Sequence, residues 1–276
     1  MGKNHKLIFN SVEDFYNTAS KPGNDNNSSS STKPATRGWD FGAGWDGAWK
    51  LARRGWPDGL KKLKAKRDLL QLPAQSDQDY APRPYYSDAG DEVELGRFLE
   101  GEPECWQDWQ PEVVPTFGKV ARIVVNCAAS AGVSADEFFE RGAAACVLAD
   151  ALETLGIRCE IWALPKCSEK RGHTFEAWVP VKRADESLEL DRVAFMLAHP
   201  AFMRRMGFRL LEQLSASDFR PFQSGYGMPK EIDASEMDAD GTIYFGRQHL
   251  GYSTPEQMQK AVDDVLAKFL GSDAPA

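Results

Sequence analysis

The stretch from Lys119 to Ala163 constrains the fold more than any other part of the chain. Lys119 to Val125, KVARIVV, is a short β-branched apolar run with the composition of a buried strand. The small-residue turn CAASAGV comes next, and Ser134 with Glu137 then forms a capping box that opens a helix. Phe138, Ala145, Leu148, Leu152 and Leu155 supply its apolar positions, and Gly156 ends it. Residues 157–163 alternate Ile157, Cys159 and Ile161 against Arg158, Glu160 and Trp162, the period of a strand.

The chain beyond Ala163 keeps the same character. Thr174 to Lys182 reads as a further strand, and the charged loop before it predicts an antiparallel hairpin. Asp191 opens a helical stretch, DRVAFMLAHPAFMRRMGFRLLEQ, which Pro200 should break or kink. Thr242 to Phe245 is a short strand behind the turn-like Asp240-Gly241. Thr254 then caps, and Pro255 starts, a helix carrying Met258, Val262, Leu266 and Phe269 before Gly271. The order strand, helix, hairpin, helix, strand, helix predicts an α/β domain over residues 117–276, a mixed sheet flanked by helices.

Residues 1–116 hold six of the eight tryptophans and read as an N-terminal, Trp-rich helical extension. Ser11 can cap a short helix with Glu13 and Asp14 in its first turn and Val12, Phe15 and Tyr16 on its apolar side. The run NDNNSSSST has no apolar content to offset its ordering entropy, so residues 24–36 are expected to be a mobile loop. Trp45, Trp49 and Ala52 share a helical face with Gly55 as a stop. Pro57 suits the first turn of a second helix bearing Leu60, Leu63 and Leu70. Gln71 to Tyr86 reads as a connector.

The stretch VARIVVNCAASAGVSADEFFERGAAACVLADALETLGIRCEIWALP resembles the von Willebrand factor A-like fold, over roughly residues 117–271. A Rossmann-like sheet is the neighbouring possibility, but without G-x-G-x-x-G dinucleotide binding has no motif behind it. The A-like resemblance implies a divalent-cation loop of the form Asp-x-Ser-x-Ser after the first strand. The corresponding positions here are Asn126, Ala128 and Ser130, so the resemblance implies a degenerate site that binds metal weakly or not at all, and a metal-free surface for a protein partner. The Trp-Gly extension resembles uncharacterised proteins carried by bacteriophages and mobile elements.

Composition narrows the function. Across 276 residues, 42% are hydrophobic and 27% charged, a soluble globular balance. A net charge of -8 excludes a globally basic nucleic-acid binder but not a local basic patch. There is no apolar run of membrane-spanning length, the stretch MGKNHKLIFNSVEDFY lacks the apolar core and cleavage site expected of a signal peptide, and the five cysteines are expected to be reduced thiols in a cytoplasm.

Cys127 stands at the carboxyl end of the first core strand, with His173 and His199 as the histidines that would have to activate it. No spacing motif joins them, and a buried structural cysteine is the simpler expectation. Cys159, Cys167 and His173 are spaced poorly for zinc. Glu231, Asp233, Glu236, Asp238 and Asp240 form an acidic segment without a full calcium-loop pattern. No cofactor or small-molecule substrate is indicated.

The sharpest local signal is basic. Lys50, Arg53, Arg54, Lys61, Lys62, Lys64, Lys66 and Arg67 crowd a segment opposed by Asp58 alone, with Trp45, Trp49 and Trp56 among or beside them. Cations with exposed aromatics suit a single-stranded nucleic acid, whose phosphates need neutralising and whose bases need stacking platforms. The alternative is a helical hairpin with core tryptophans and a solvated lysine face. Residues 88–112 are acidic and could pair with this segment, or with Trp106 and Trp109 form a protein-binding surface. Arg204, Arg205 and Arg209 form a second basic cluster. The expectation is therefore a non-enzymatic binding protein. Its leading ligand is single-stranded nucleic acid, in support of replication or transcription; a protein–protein adaptor is the alternative, and a cysteine- or metal-dependent enzyme the third reading.

Overall fold

The computed structural model describes residues 2–71, 80–90, 92–113, 120–169, 171–232, 242–246 and 255–270. Its contacts divide the chain into two units, residues 1–72 with 120–276 and residues 73–119. This differs from the boundary expected at 116/117. The first 72 residues belong to the core unit because they contribute a strand to its sheet and side chains to its main apolar cluster.

That strand, β1 (Asn4–Ile8), runs parallel to a strand at 174–182. Its apolar residues Leu7 and Ile8 are adjacent, so it carries no period-two pattern to be read as a strand. Helix α1 (Val12–Ala19) is capped as expected, the Ser11 hydroxyl accepting from the Asp14 amide, and buries Phe15 and Ala19. The short α2 (Arg37–Asp40) and then α3 (Gly44–Arg54) and α4 (Pro57–Arg67) come next. Gly55, at φ 76°, makes the stop between α3 and α4, and Pro57 opens α4. Ala48, Ala52, Trp56 and Leu63 join the main apolar cluster.

Residues 24–36 are not the mobile loop that their composition predicts. The Arg205 guanidinium donates to the carbonyls of Ser31 and Lys33 at 3.1 and 2.6 Å, and Glu212 accepts from the buried Ser31 amide at 2.9 Å. Asn27 Nδ2 donates to the carbonyls of Glu212 and Leu214. Long-range side-chain bonds to the backbone order this segment without apolar burial.

The unit of residues 73–119 is a small antiparallel sheet. β2 (Tyr80–Ser87) pairs along its length with β4 (Trp106–Val113), and β3 (Glu92–Val93) pairs on the other side of β4, with α5 (Leu95–Leu99) between β3 and β4. Part of the expected 71–86 connector is thus strand, while residues 72–79 lie outside the described residues.

The core unit resumes with β5 (Val120–Val125), α6 (Ala135–Thr154) and β6 (Arg158–Ala163). The Ser134–Glu137 capping box is formed on both sides. A short β7 (Lys166–Ser168) leads into β8 (Thr174–Lys182), which makes the expected antiparallel hairpin with β6 and β7. Helix α7 (Leu190–Ala198) ends at His199, beside Pro200. The chain then resumes as a π-helical turn (Phe202–Gly207) running into α8 (Phe208–Glu212). The short α9 (Ala216–Phe219), β9 (Met228–Pro229), β10 (Thr242–Phe245) and α10 (Pro255–Leu270) complete it. The expected cap Thr254 and stop Gly271 lie outside the described residues.

The strands form one seven-stranded mixed sheet in the order β10-β5-β6-β8-β7-β9, with β1 on β8. β5 runs parallel to both β6 and β10. β6 and β7 pair with successive stretches of β8, so the sheet partner beyond them changes from β5 to β9 near Leu164 and Pro165. α6 is buried along most of its length, as a helix apolar on nearly every side must be. At Gly142 an added Cβ would stand 2.0 Å from the Leu197 carbonyl oxygen, so α6 and α7 meet backbone to backbone there.

Candidate functional site

The expected nucleic-acid surface separates into two groups. Lys50, Arg53, Arg54, Lys61, Lys62 and Lys64 are exposed on α3 and α4. Among the described residues the one carboxylate within ion-pair distance of this set is Asp58, 3.8 Å from Lys61, with both side chains more than 80% exposed. Lys62 stands over the rings of Phe41 and Phe139. Lys66 and Arg67 turn instead to α6, at 2.6 Å from Glu140 and from Asp150 respectively, and act as braces.

The tryptophans differ in how open they are. Trp56 is 7% exposed and packs edge-on against Phe139 and His199. Trp45 is half-buried between Trp49 and the Arg209 guanidinium, 4.6 Å from its ring. The core-hairpin alternative describes Trp56, with Trp49 packed against the same cluster, because α3 and α4 lie on α6 and α7 and need apolar cover there; Trp45 lies outside that cluster.

Asn126 stands just beyond β5, where the chain leaves for β6 on one side and later returns as β10 on the other. Open α/β sheets place ligands at such a switch point. Here the amide is already committed. Asn126 Nδ2 donates to the Lys230 carbonyl at 2.8 Å and to Tyr244 Oη at 3.2 Å, and Oδ1 accepts from the Ala128 amide. Tyr244 in turn donates to Glu231 at 2.6 Å. Asn126 is fully buried and Ala128 nearly so, leaving Ser130 half-exposed. A neutral amide spent on protein groups does not fit a divalent cation, and the partner surface expected at Asn126 and Ala128 is closed by the chain itself. Asp233, Glu236, Asp238 and Asp240 lie outside the described residues.

Beside this point, where β5 gives way to β9, lies a mostly apolar cleft of about 170 Å³. Ala128, Ala129, Phe175, Met203, Lys166 and Arg204 are among the residues that line it. A wider cleft of about 670 Å³, lined among others by Tyr16, Arg53, Arg183, Glu186 and Arg192, mixes charges of both signs.

The buried polar groups around α2 and the π-helical turn form a lock that residue spacing does not reveal. Asp40 and Arg205 are both fully buried and ion-paired. Asp40 also accepts from the amides of Thr36, Gly42 and Gly44. Burial alone would raise its carboxyl, but the bonds from Arg205, Thr36 and Gly44 outweigh that and hold it below the ordinary carboxylate value. The Arg-Arg pair was visible in sequence; Asp40, 165 residues away, carried no signal tying it to that pair.

The candidate nucleophile and metal residues have structural surroundings. The Cys127 thiol is fully buried, faces the carbonyls of Val125 and Met196, and is pushed up to about 12 by burial. His199 sits among Phe41, Trp56 and Phe195 and accepts from the Ala201 amide. Burial holds it down near 3, so it is neutral. Cys159 is buried against the carbonyls of Ala149 and Ile157, whereas His173 accepts from the Lys3 amide. Among the described residues no three His, Cys, Asp or Glu side chains are placed to hold a metal ion. All five cysteines are buried free thiols, and no helix of the described residues is long and apolar enough to cross a membrane.

These features define a mixed α/β protein with a curled sheet, a helical N-terminal segment built into its core, and an apolar cleft beside the switch point. The chain belongs to a domain-of-unknown-function family, DUF7192, which it matches over residues 3–272. No curated protein and no solved structure matches it.

Proposed function

We propose that this protein is a non-enzymatic accessory factor of phage or mobile-element type that binds nucleic acid through the exposed cations of α3 and α4. The observation that carries the reading is the outward display of Lys50, Arg53, Arg54, Lys61, Lys62 and Lys64, with Asp58 the one carboxylate within ion-pair distance of them among the described residues. Such a face neutralises phosphates and releases their counterions. The preference for single strands rested on stacking by Trp45 and Trp56. With Trp56 in the core, only the half-buried Trp45 of that pair keeps an open side, and the reading rests on phosphate contacts rather than on stacking. The A-like reading of the core is supported by the parallel set β10-β5-β6 and the small-residue loop after β5.

The test is the variant Lys50→Glu/Arg54→Glu/Lys61→Glu/Lys64→Glu, which spares the braces Lys66 and Arg67. At about 50 mM salt it should lose binding to single- and double-stranded oligonucleotides while keeping the wild-type melting temperature. Affinity within about twofold of wild type defeats the proposal.

A protein–protein adaptor is the second reading. It is favoured by the exposure of Leu95, Phe98, Leu99 and Trp109 in the 73–119 unit, at 69%, 59%, 81% and 49%. A complex that survives high salt would distinguish it, since phosphate contacts would not.

A further inference from the structure

The cleft of about 170 Å³ keeps a hollow that neither the backbone nor the packing requires. Gly207, which closes the π-helical turn and lines the cleft, has ordinary right-handed helical angles, φ -62° and ψ -40°. Glycine in that conformation is less favourable than alanine, because it loses more chain freedom on folding and gains nothing from lacking a Cβ. Tertiary packing does not demand it either. The nearest atoms that an added Cβ would meet are side-chain atoms of Met203 and Pro165, at 3.6 and 3.9 Å. Gly142 is the contrast, since a Cβ there would strike the backbone of α7. At Gly207 the missing side chain leaves the cleft open.

Both charged side chains of the lining are spent on protein groups. Arg204 donates to the carbonyls of Trp39, Ser130 and Val133, and Lys166 pairs with Glu176 at 2.9 Å. The rest of the lining is mostly apolar, with Phe175, Met203 and Phe208 as its large members. Part of it is also preset. Residues 225–227 all have left-handed φ, at 146°, 64° and 81°, and Tyr226 is the one non-glycine among them. Its ring is stacked on Phe208, with centroids 4.1 Å apart, and its hydroxyl is bonded to Glu212 at 2.7 Å. Backbone strain of this kind persists only where the surroundings over-determine it, and it clusters at ligand clamps. The π-helical geometry of residues 202–207 has the same association with functional sites.

We propose that this cleft binds a small neutral aromatic molecule, about one substituted ring in size, against Phe175, Met203 and Phe208 in the space left by Gly207. The volume compares with a cavity of roughly 150 Å³ that takes a benzene ring. Aromatic rings and a thioether in the lining favour a ring over an aliphatic chain. An ionised ligand is disfavoured, because entry would strip its water while Arg204 and Lys166 are already taken. The site is separate from the nucleic-acid face, and neither reading depends on the other.

Titration of the full chain with toluene by calorimetry, in parallel with benzoate, tests the proposal. Toluene is expected to bind at one site per chain with a dissociation constant below about 1 mM, at least about tenfold tighter than benzoate. Gly207→Leu puts a side chain into the hollow and should weaken toluene binding by at least about tenfold while keeping the wild-type fold. Because leucine can overfill the space, Gly207→Ala keeps the test sound if Gly207→Leu does not fold. A single methyl has room there, so Gly207→Ala should melt no lower than wild type. No binding in toluene-saturated buffer, benzoate bound as tightly as toluene, wild-type toluene affinity in a folded Gly207→Leu, or a Gly207→Ala less stable than wild type each overturns the assignment.

Discussion

Asp40→Asn is the most informative single change to the fold. The substitution keeps the shape of the side chain but removes the charge opposite Arg205, where both groups are fully buried. Removing one partner of a buried ion pair costs about 3–5 kcal/mol, because the remaining charge stays desolvated. Arg205 keeps its bonds to the carbonyls of Ser31, Lys33 and Pro34, which places the expected loss near the lower end, about 3 kcal/mol. For a domain of this size that corresponds to a fall in Tm of roughly 6–12 °C. Urea unfolding followed by tryptophan fluorescence at pH 7 measures it directly. The pH dependence has a defined sign. A carboxyl held below its unfolded value, about 3.9, contributes stability that is fully present above that value and is lost as pH falls through the lower folded one. The difference between wild type and Asp40→Asn should therefore shrink below about pH 4. Because Arg205 also orders residues 24–36, the variant should be cut there by protease sooner than wild type. A loss below about 1 kcal/mol at pH 7, with unchanged proteolysis, refutes the lock.

Three further outcomes rest on the same packing. Gly142→Ala places a Cβ 2.0 Å from the Leu197 carbonyl oxygen and 2.4 Å from the Ala198 Cα, and α6 and α7 can relieve it only by moving apart. The expected destabilisation is about 3 kcal/mol or more, read by thermal unfolding. His199 is neutral in the fold with its pKa held near 3, so its contribution is present above the unfolded value of about 6.5 and is lost as pH falls from there toward 3. His199→Gln should flatten that part of the acid limb in a pH-dependent stability profile. Cys127, buried and raised to about 12, should react with iodoacetamide only at the rate of unfolding; rapid alkylation in native buffer would revive a nucleophilic role.

The core was legible because its elements carry local signals. KVARIVV, the Ser134–Glu137 box, the period-two run before Ala163 and the Pro255 start all use interactions within a few residues, and each element lies where those signals put it. Two parts were not legible, for different reasons. NHKLI becomes a strand because β8 offers an unfilled edge, a fact about residues 170 positions away. The polar run at 24–36 is ordered by Arg205 and Glu212, which substitute directional bonds for apolar burial, and composition does not register such bonds. The basic segment was visible in the sequence; which way its tryptophans face was not, because either face of α3 could have met the core. The cleft at Arg204 depends on a π-helical turn and on the change of sheet partner from β5 to β9, neither of which leaves a motif.

The nucleic-acid reading is tested most directly by an anisotropy titration of the wild-type protein with fluorescent single- and double-stranded oligonucleotides at about 50 and 200 mM salt. If the six exposed cations each meet a phosphate, the slope of log K against log salt approaches about -4 for a single strand. Affinity should then fall by up to roughly 300-fold across that interval, and more steeply for a duplex. An absence of binding at 50 mM, or a fall of less than about threefold, would contradict the account and leave α3 and α4 with a solvated face.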